Sequence, residues 1–171
     1  MGAYVDAFAS WLGATPMSMY LQSQTAWLWP VCETLHFMGL TMLVGAVGFF
    51  DLRLLGVIKR VSIPAAADLL PWAAVGFGVN LITGMVFLLS EPSQYAASTA
   101  WWAKVFFLVV ALLNVAVFEK LLKAKAHALQ LGADTPTAFK IAGAVSLIAW
   151  SGVLYFGRMM PYIGAPEFAG F

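Results

Sequence analysis

A glutamate and a histidine lie one helical turn apart inside the first long apolar stretch of the chain, at Glu33 and His36. Residues three apart on a helix share a face, so the two side chains are neighbours. An ionisable residue inside a membrane helix costs about 2.5–3.5 kcal/mol to insert and marks a functional site by default. The pair is therefore the first candidate site of the sequence.

The depth of His36 limits its chemistry. Counted from Trp27 at 1.5 Å per residue, His36 lies about 13 Å into the stretch, near the middle of a bilayer. A neutral imidazole at that depth can ligate haem iron or copper, or relay protons. It can also act as a hydrogen-bonded contact to a neighbouring helix, with Glu33 neutral or paired to a cation. The sequence leaves both interpretations open.

Three more polar residues fall at comparable depths in the other apolar stretches, namely Asn80, Lys104 and Arg158. The long side chains of Lys104 and Arg158 can extend toward Glu33, or can anchor in the lipid headgroups. The predicted cofactor-binding set is therefore His36, Glu33, Asn80, Lys104 and Arg158, with His36 as the metal ligand.

The histidine count restricts a haem site. The chain has two histidines, and the second, His127, lies in a loop most of a membrane thickness away from His36. A haem held by two histidines of one protomer is therefore excluded. The remaining options are a weak or absent sixth ligand, a methionine such as Met85 or Met159, or two copies of His36 across a dimer axis.

Copper is the alternative metal, because soft sulfur ligands suit Cu(I). Cys32 and Met38 lie close to His36 on the first stretch, and Met17 and Met19 precede it. Methionine is also a common filler of apolar gaps. Catalytic residues are not indicated, since the chain has no nucleophile triad pattern, zinc-protease motif, phosphate loop or dinucleotide fingerprint.

The composition sets the class of protein. Of 171 residues, 62% are hydrophobic and 10% are charged, whereas a soluble domain carries about 25% charged residues. Four apolar stretches, at about 27–50, 69–89, 101–118 and 138–158, each approach the roughly 20 residues of a membrane helix. The prediction is a single all-α membrane domain over 1–171, a four-helix bundle preceded at 1–26 by short interfacial amphipathic helices. Thr15 and Pro16 are typical of a helix start within that segment.

The basic residues predict the orientation. Seven of the nine lysines and arginines follow the first and third stretches, and positively charged loops stay cytoplasmic. Both termini are then expected in the periplasm of a bacterial inner membrane. A net charge of +1 gives no indication of a nucleic-acid partner. Asp51 and Arg53, at the end of the first stretch, are interpreted as a clamp of interfacial charges with Glu119 and Lys120.

Several motifs resemble those of an uncharacterised family of small four-helix bacterial membrane proteins. The resemblance runs through Pro30–Gly39, Asp51–Gly56, Leu70–Trp72, Leu113–Asn114 and Gly157–Arg158. A weaker similarity is to copper-resistance D proteins and to a four-helix haem-binding protoporphyrinogen oxidase. It rests on His36, Arg53-Leu54 and Trp101-Trp102-Ala103-Lys104. In those relatives a second histidine is expected near the end of the third helix, where this chain has Phe118 and Glu119.

The sequence thus supports three hypotheses of function. The first is a membrane redox protein that binds b-type haem or a quinone near His36. The second is a non-catalytic subunit or assembly partner of a larger, respiratory-type membrane complex. The third is Cu(I) handling. The expected partners are the lipid bilayer and either a homo-oligomer or a larger complex, and the sequence does not decide whether the protein is an enzyme.

Overall fold

The computed structural model describes residues 2–127, 129 and 132–163, and within these ranges all regular structure is helical. The helices are α1 (Ala3–Gly13), α2 (Pro16–Ser23), α3 (Thr25–Leu54), α4 (Ile63–Ala67), α5 (Leu70–Ser90), α6 (Pro92–Ala97), α7 (Thr99–Val117), a π-helical turn (Phe118–Leu122), α8 (Lys123–His127) and α9 (Thr137–Met159).

Four helical segments are long and apolar enough to cross a membrane: Ala26–Leu54, Ile63–Ser90, Thr99–Ala126 and Thr137–Met159. The chain is therefore a multi-pass membrane protein, and the predicted all-α four-helix bundle is confirmed. Large apolar side chains point outward from these segments, for example Ile82 and Ile148 at 68% and 65% exposure. Such a surface suits lipid, which replaces water around the spans.

Local capping explains several helix starts. The Thr15 hydroxyl accepts a hydrogen bond from the Ser18 backbone N–H at 3.3 Å, and Pro16 follows at the first helical position. The Ser98 hydroxyl accepts one from the Trp101 N–H at 3.2 Å where α7 begins. These side chains satisfy N–H groups that have no partner within the helix. The helix start predicted at Thr15 and Pro16 is thus confirmed.

The helices pack mainly in the spatial order α5, α3, α9, α7. The closest pair is α3 with α5, which cross where Gly39 meets Gly76. A Cβ built on Gly76 would collide with the Gly39 carbonyl oxygen and would lie 2.8 Å from the Leu43 nitrogen. Small residues that allow such close backbone approach are typical of helix contacts in membranes.

Two apolar clusters fill the bundle. The middle cluster contains Leu43, Ala46, Ala73, Ala111, Ala149, Trp150 and Val153, and so draws on all four spanning helices. The second includes Phe50, Leu54, Ile63, Phe118 and Phe139. This second cluster lies at the end of the bundle that carries Arg53, Lys59 and Lys140, here called the basic end. The opposite end, which carries α1, α2 and α6, is called the terminal end.

The first two helices pack against the terminal end. Helix α1 contacts α6 and α2 contacts α5, where the Ser18 hydroxyl donates a hydrogen bond to the Leu89 carbonyl at 2.5 Å. Helix α1 buries Ala9 and exposes the aromatic side chains of Tyr4, Phe8 and Trp11. An exposed aromatic face at the end of membrane spans is suited to the lipid interface.

The predicted clamp, in which Asp51 and Arg53 interact with Glu119 and Lys120, is wrong, because three of these residues have other partners. Arg53 is fully buried and donates hydrogen bonds to the Val61 carbonyl and to the Thr135 hydroxyl. Glu119 instead pairs with Lys123 at 2.8 Å, one turn along its own helical segment. Asp51 faces Ser146 of α9. Arg53 faces a different neighbour, because side chains two residues apart point to different sides of a helix.

An exposed charge cluster joins two loops at the basic end. Asp134 pairs with Lys59 at 2.9 Å and with Lys140 at 3.3 Å. Hydrogen bonds and positive charge from these two lysines lower the pKa of Asp134 to about 2. The pairs are open to water, so they contribute little to stability, but they connect the loop after α3 to the start of α9.

Candidate functional site

His36 is half-buried on α3, and its Nδ1 atom lies 2.7 Å from the Thr83 hydroxyl of α5. That hydroxyl also lies 2.8 Å from the Val79 carbonyl of its own helix. A hydroxyl has one hydrogen, and the carbonyl can only accept it, so Thr83 receives a hydrogen bond from His36. This network assigns the Nδ1–H tautomer to His36 and leaves a lone pair on Nε2.

Aromatic rings flank the imidazole on the terminal side. The Phe87 ring lies 5.5 Å from the His36 ring, and the Trp29 ring lies 4.8 Å from Phe87. Gly84 is opposite the imidazole, and a Cβ there would lie 3.9 Å from the His36 Cε1 atom. The imidazole is therefore bordered by flat apolar groups, which favour the packing of another aromatic ring.

Lys104 lies between the imidazole and the α7–α9 pair of helices. Its side chain runs from α7 along α9, where a Cβ on Gly157 would lie 3.8 Å from Cδ, Cε and Nζ. The ammonium group is also close enough to His36 for direct electrostatic interaction. The structure thus brings together His36 and Lys104, two of the residues predicted for the site.

Glu33 lies on the exposed side of α3, toward α6. Burial raises the pKa of Tyr95 on α6, and the negative charges of Glu91 and then Glu33 raise it further. Glu33 is therefore within electrostatic reach of the Tyr95 phenol. Among the described residues, no ion pair joins Glu33 to Lys104 or to Arg158.

Asn80 and Arg158 are placed apart from the imidazole. The Asn80 amide donates to the Gly76 carbonyl at 2.9 Å and lies against Gly39, one turn deeper in the bundle than His36. Its Oδ1 atom is buried and has no hydrogen-bond partner in the part of the chain that the structure describes. Arg158 is exposed near the end of α9, next to the glycine that contacts Lys104. It is placed to interact with headgroups or with an anionic group at the surface.

The sulfur residues do not form a metal cluster in the described part of the chain. Cys32 is buried on α3 one turn before His36, whereas Met17, Met19 and Met38 are more than half exposed. No group of three or more histidine, cysteine, aspartate or glutamate side chains there is placed to hold a metal ion. A metal would therefore have His36 as its principal nitrogen ligand.

The sequence indicates Thr83 only as a polar residue at the depth of His36, and it gives no role to Phe87 or Tyr95. Asn80, Thr83, Gly84 and Phe87 are spaced by three or four residues and so form one face of α5. That spacing is a signal which could have placed this face opposite His36. Tyr95 had no comparable signal, because its proximity to Glu33 depends on how α6 turns back over the bundle.

Comparison with known proteins places the chain in a family. A family model matches residues 8–163, which is nearly the whole chain. The chain belongs to DUF6644, a family of unknown function. The predicted resemblance to an uncharacterised family is thus confirmed.

No curated protein and no solved structure matched the chain in these comparisons. They give no support to the weaker similarity to copper-resistance D proteins or to haem-binding protoporphyrinogen oxidase. The function must therefore be argued from the side chains around His36.

Proposed function

We propose that this protein is a membrane redox protein that binds b-type haem or a quinone at His36. The observation that carries the proposal is the His36–Thr83 hydrogen bond, which fixes the tautomer and leaves the Nε2 lone pair free. Histidines that ligate metals characteristically donate their other N–H to an oxygen acceptor in this way. The same lone pair can accept a proton from the hydroxyl of a quinol.

The residues present fit a haem with one histidine ligand. His36 would supply a nitrogen ligand to the iron, Phe87 would pack against the macrocycle, and Lys104 would neutralise a propionate. A bound haem supplies one-electron chemistry, and the protein tunes it through the axial ligand and its hydrogen bond. The His36–Thr83 contact holds the imidazole orientation, and the Lys104 charge lies within electrostatic range of the imidazole.

A quinone fits the same side chains by a different chemistry. Its ring would pack on Phe87, one oxygen would face His36 Nε2, and Lys104 would donate a hydrogen bond to the ring's other oxygen. Oxidation of a quinol releases protons as well as electrons, and a neutral imidazole can take one of these protons. The half-buried position of His36 at the helix surface allows a lipid-soluble ligand to approach from the bilayer.

Absorption spectroscopy and extraction test the proposal directly. The protein is expressed with haem precursor, purified in mild detergent and analysed for a Soret band, for metals and for extractable quinone. We expect one of the two ligands in wild type, its loss in His36→Ala, and its retention in His127→Ala, which removes the other histidine at the opposite end. A colourless protein without quinone, or a ligand that His36→Ala retains, would refute the proposal. Stoichiometric copper without haem would favour the copper alternative.

We also propose that the protein resides in a bacterial inner membrane with both termini in the periplasm. The support is the concentration of lysine and arginine at the basic end, where loops are expected to remain cytoplasmic. A reporter that is active only in the cytoplasm, fused after the last residue, should be inactive. An active reporter would show that the C-terminus is cytoplasmic and would refute the proposed orientation.

A further inference from the structure

A second polar site lies inside the bundle near the basic end, away from His36. Asp51 of α3 is 2% exposed, and its Oδ2 atom has no hydrogen-bond partner among the described residues. The Ser146 hydroxyl of α9 faces the carboxyl group, close enough to interact with it as a hydrogen-bond donor. Trp150 is 5% exposed, and within the described part of the chain its Nε1–H has no partner either. Buried polar groups without partners are rare in proteins and call for a physical explanation.

These three side chains lie along one helix interface. Ser146 and Trp150 are four residues apart on α9, so they share the face that packs against α3. Gly143, one turn earlier on that face, lies against the Asp51 carbonyl, which fixes the register of the two helices. Helical side chains lean toward the N-terminus of their helix, and this brings the Trp150 indole toward the level of Ser146 and Asp51.

The charges around Asp51 do not neutralise it. Arg53, on the same helix, donates instead to Val61 and Thr135. The other charged or titratable groups on the helical elements packed at this end are Lys140 of α9, Glu119 and Lys120 of the π-helical turn, and Lys123, Lys125 and His127 of α8. Of these, Lys140, Glu119 and Lys123 form exposed pairs elsewhere. In the part of the chain that the structure describes, no cation pairs with the Asp51 carboxyl group.

We propose that Asp51, Ser146 and Trp150 form a hydrated proton-binding site in the bundle, which exchanges its proton with bulk water. An isolated carboxylate in an apolar interior takes up a proton rather than remain charged. An internal water needs two to four polar partners. One water between Asp51 and Trp150 would accept the Nε1–H bond and contact the free Oδ2.

The proton transfer at this site needs no other reactant. When Asp51 ionises, its O–H bond breaks, the proton moves to the bridging water, and that water releases one proton to bulk water. The carboxylate still faces the Ser146 hydroxyl and gains a hydrogen bond from the bridging water. The reverse sequence reloads the site.

Infrared spectroscopy of the full-length protein in lipid nanodiscs tests the proposal. A protonated carboxyl group has a C=O stretching band separate from those of carboxylates and amides. Wild type should show this band at neutral pH, shift it when H2O is exchanged for D2O, and lose it at alkaline pH. Asp51→Asn should remove the band, whereas Asp134→Asn should retain it, because Asp134 is exposed and ion-paired.

Trp150→Phe keeps the proposal testable if Asp51→Asn fails to fold, since it removes the N–H and preserves most of the ring. This variant should shift the frequency of the band, whereas Trp72→Phe, at a position 60% exposed, should not. Absence of a band that depends on Asp51 would overturn the proposal. A band unaffected by D2O, or one that Trp150→Phe leaves unchanged, would also overturn it.

Discussion

The α3–α5 crossing makes Gly76 the position where one added methyl group should do most damage. A Cβ there would collide with the Gly39 carbonyl oxygen and approach the Leu43 nitrogen at 2.8 Å and the Met42 Cβ at 3.0 Å. Two of these atoms belong to the backbone, so no side-chain rotation can relieve the contact. Gly76→Ala therefore has to separate the two helices that hold the His36–Thr83 hydrogen bond.

The magnitude follows from a comparison within the same helix. Overpacking of a well-packed interior costs about 1–3 kcal/mol, while replacing glycine by alanine within a helix gains about 1 kcal/mol of intrinsic propensity. Gly78, two residues along α5, has no atom within 4 Å of an added Cβ. Gly78→Ala is therefore a matched control that gains the propensity without the collision. The difference in unfolding free energy between the two variants should be about 1–3 kcal/mol.

Reversible unfolding in mixed detergent micelles, followed by circular dichroism, measures this difference. We expect Gly76→Ala to be the less stable variant, and any ligand bound at His36 to be weakened in it, because the imidazole loses its fixed partner. If the two variants unfold within about 0.5 kcal/mol of each other, the range of an unremarkable substitution, the close crossing is not a feature of the folded protein.

Two further predictions concern single hydrogen-bonding groups. Thr83→Val removes the acceptor of the His36 Nδ1–H and should cost about 0.5–2 kcal/mol of stability, between the average for hydrogen bonds in membranes and the cost of an unsatisfied donor; the exposed Thr34→Val is the control, and equal losses would show that the His36–Thr83 hydrogen bond does not stabilise the protein. The pKa of Asp134 is lowered to about 2 from 3.8, so its ion pairs persist above 3.8 and are lost as the pH falls toward 2; the protection of the loop amides, which is their exchange rate relative to the intrinsic rate at each pH, should fall over that interval in wild type and stay constant in Asp134→Asn.

The spanning helices were predictable because their signal is local. Each needs only about 20 apolar residues in sequence, and lipid leaves the backbone little alternative to a helix. The prominence of His36 was visible for the same reason, since a polar side chain inside such a run needs an explanation. The helix start at Thr15 is equally local, because the capping oxygen and the N–H that it accepts are three residues apart.

The partners of the polar groups were not predictable, because they depend on which helices pack and in what register. Asp51 stands beside a charged run in the sequence, which suggested an interfacial clamp. In the structure it faces Ser146, and Arg53 turns to a backbone carbonyl and the Thr135 hydroxyl instead. Two residues of separation rotate a helical side chain by about 200°, so an error in the assumed face changes every partner.

The two polar sites should act independently, and the reason lies in the cluster between them. His36 and Asp51 are fifteen residues apart on α3, a rise of about 22 Å. Apart from Trp150, whose N–H belongs to the Asp51 site, the middle cluster fills the interval with apolar side chains, including Leu43 and Ala46 of that same helix. Substitutions this far apart, without a shared partner, normally have additive effects. Asp51→Asn should then leave the ligand at His36 unchanged, and His36→Ala should leave the infrared band of Asp51 unchanged. Coupling between them would require a polar connection through the middle cluster.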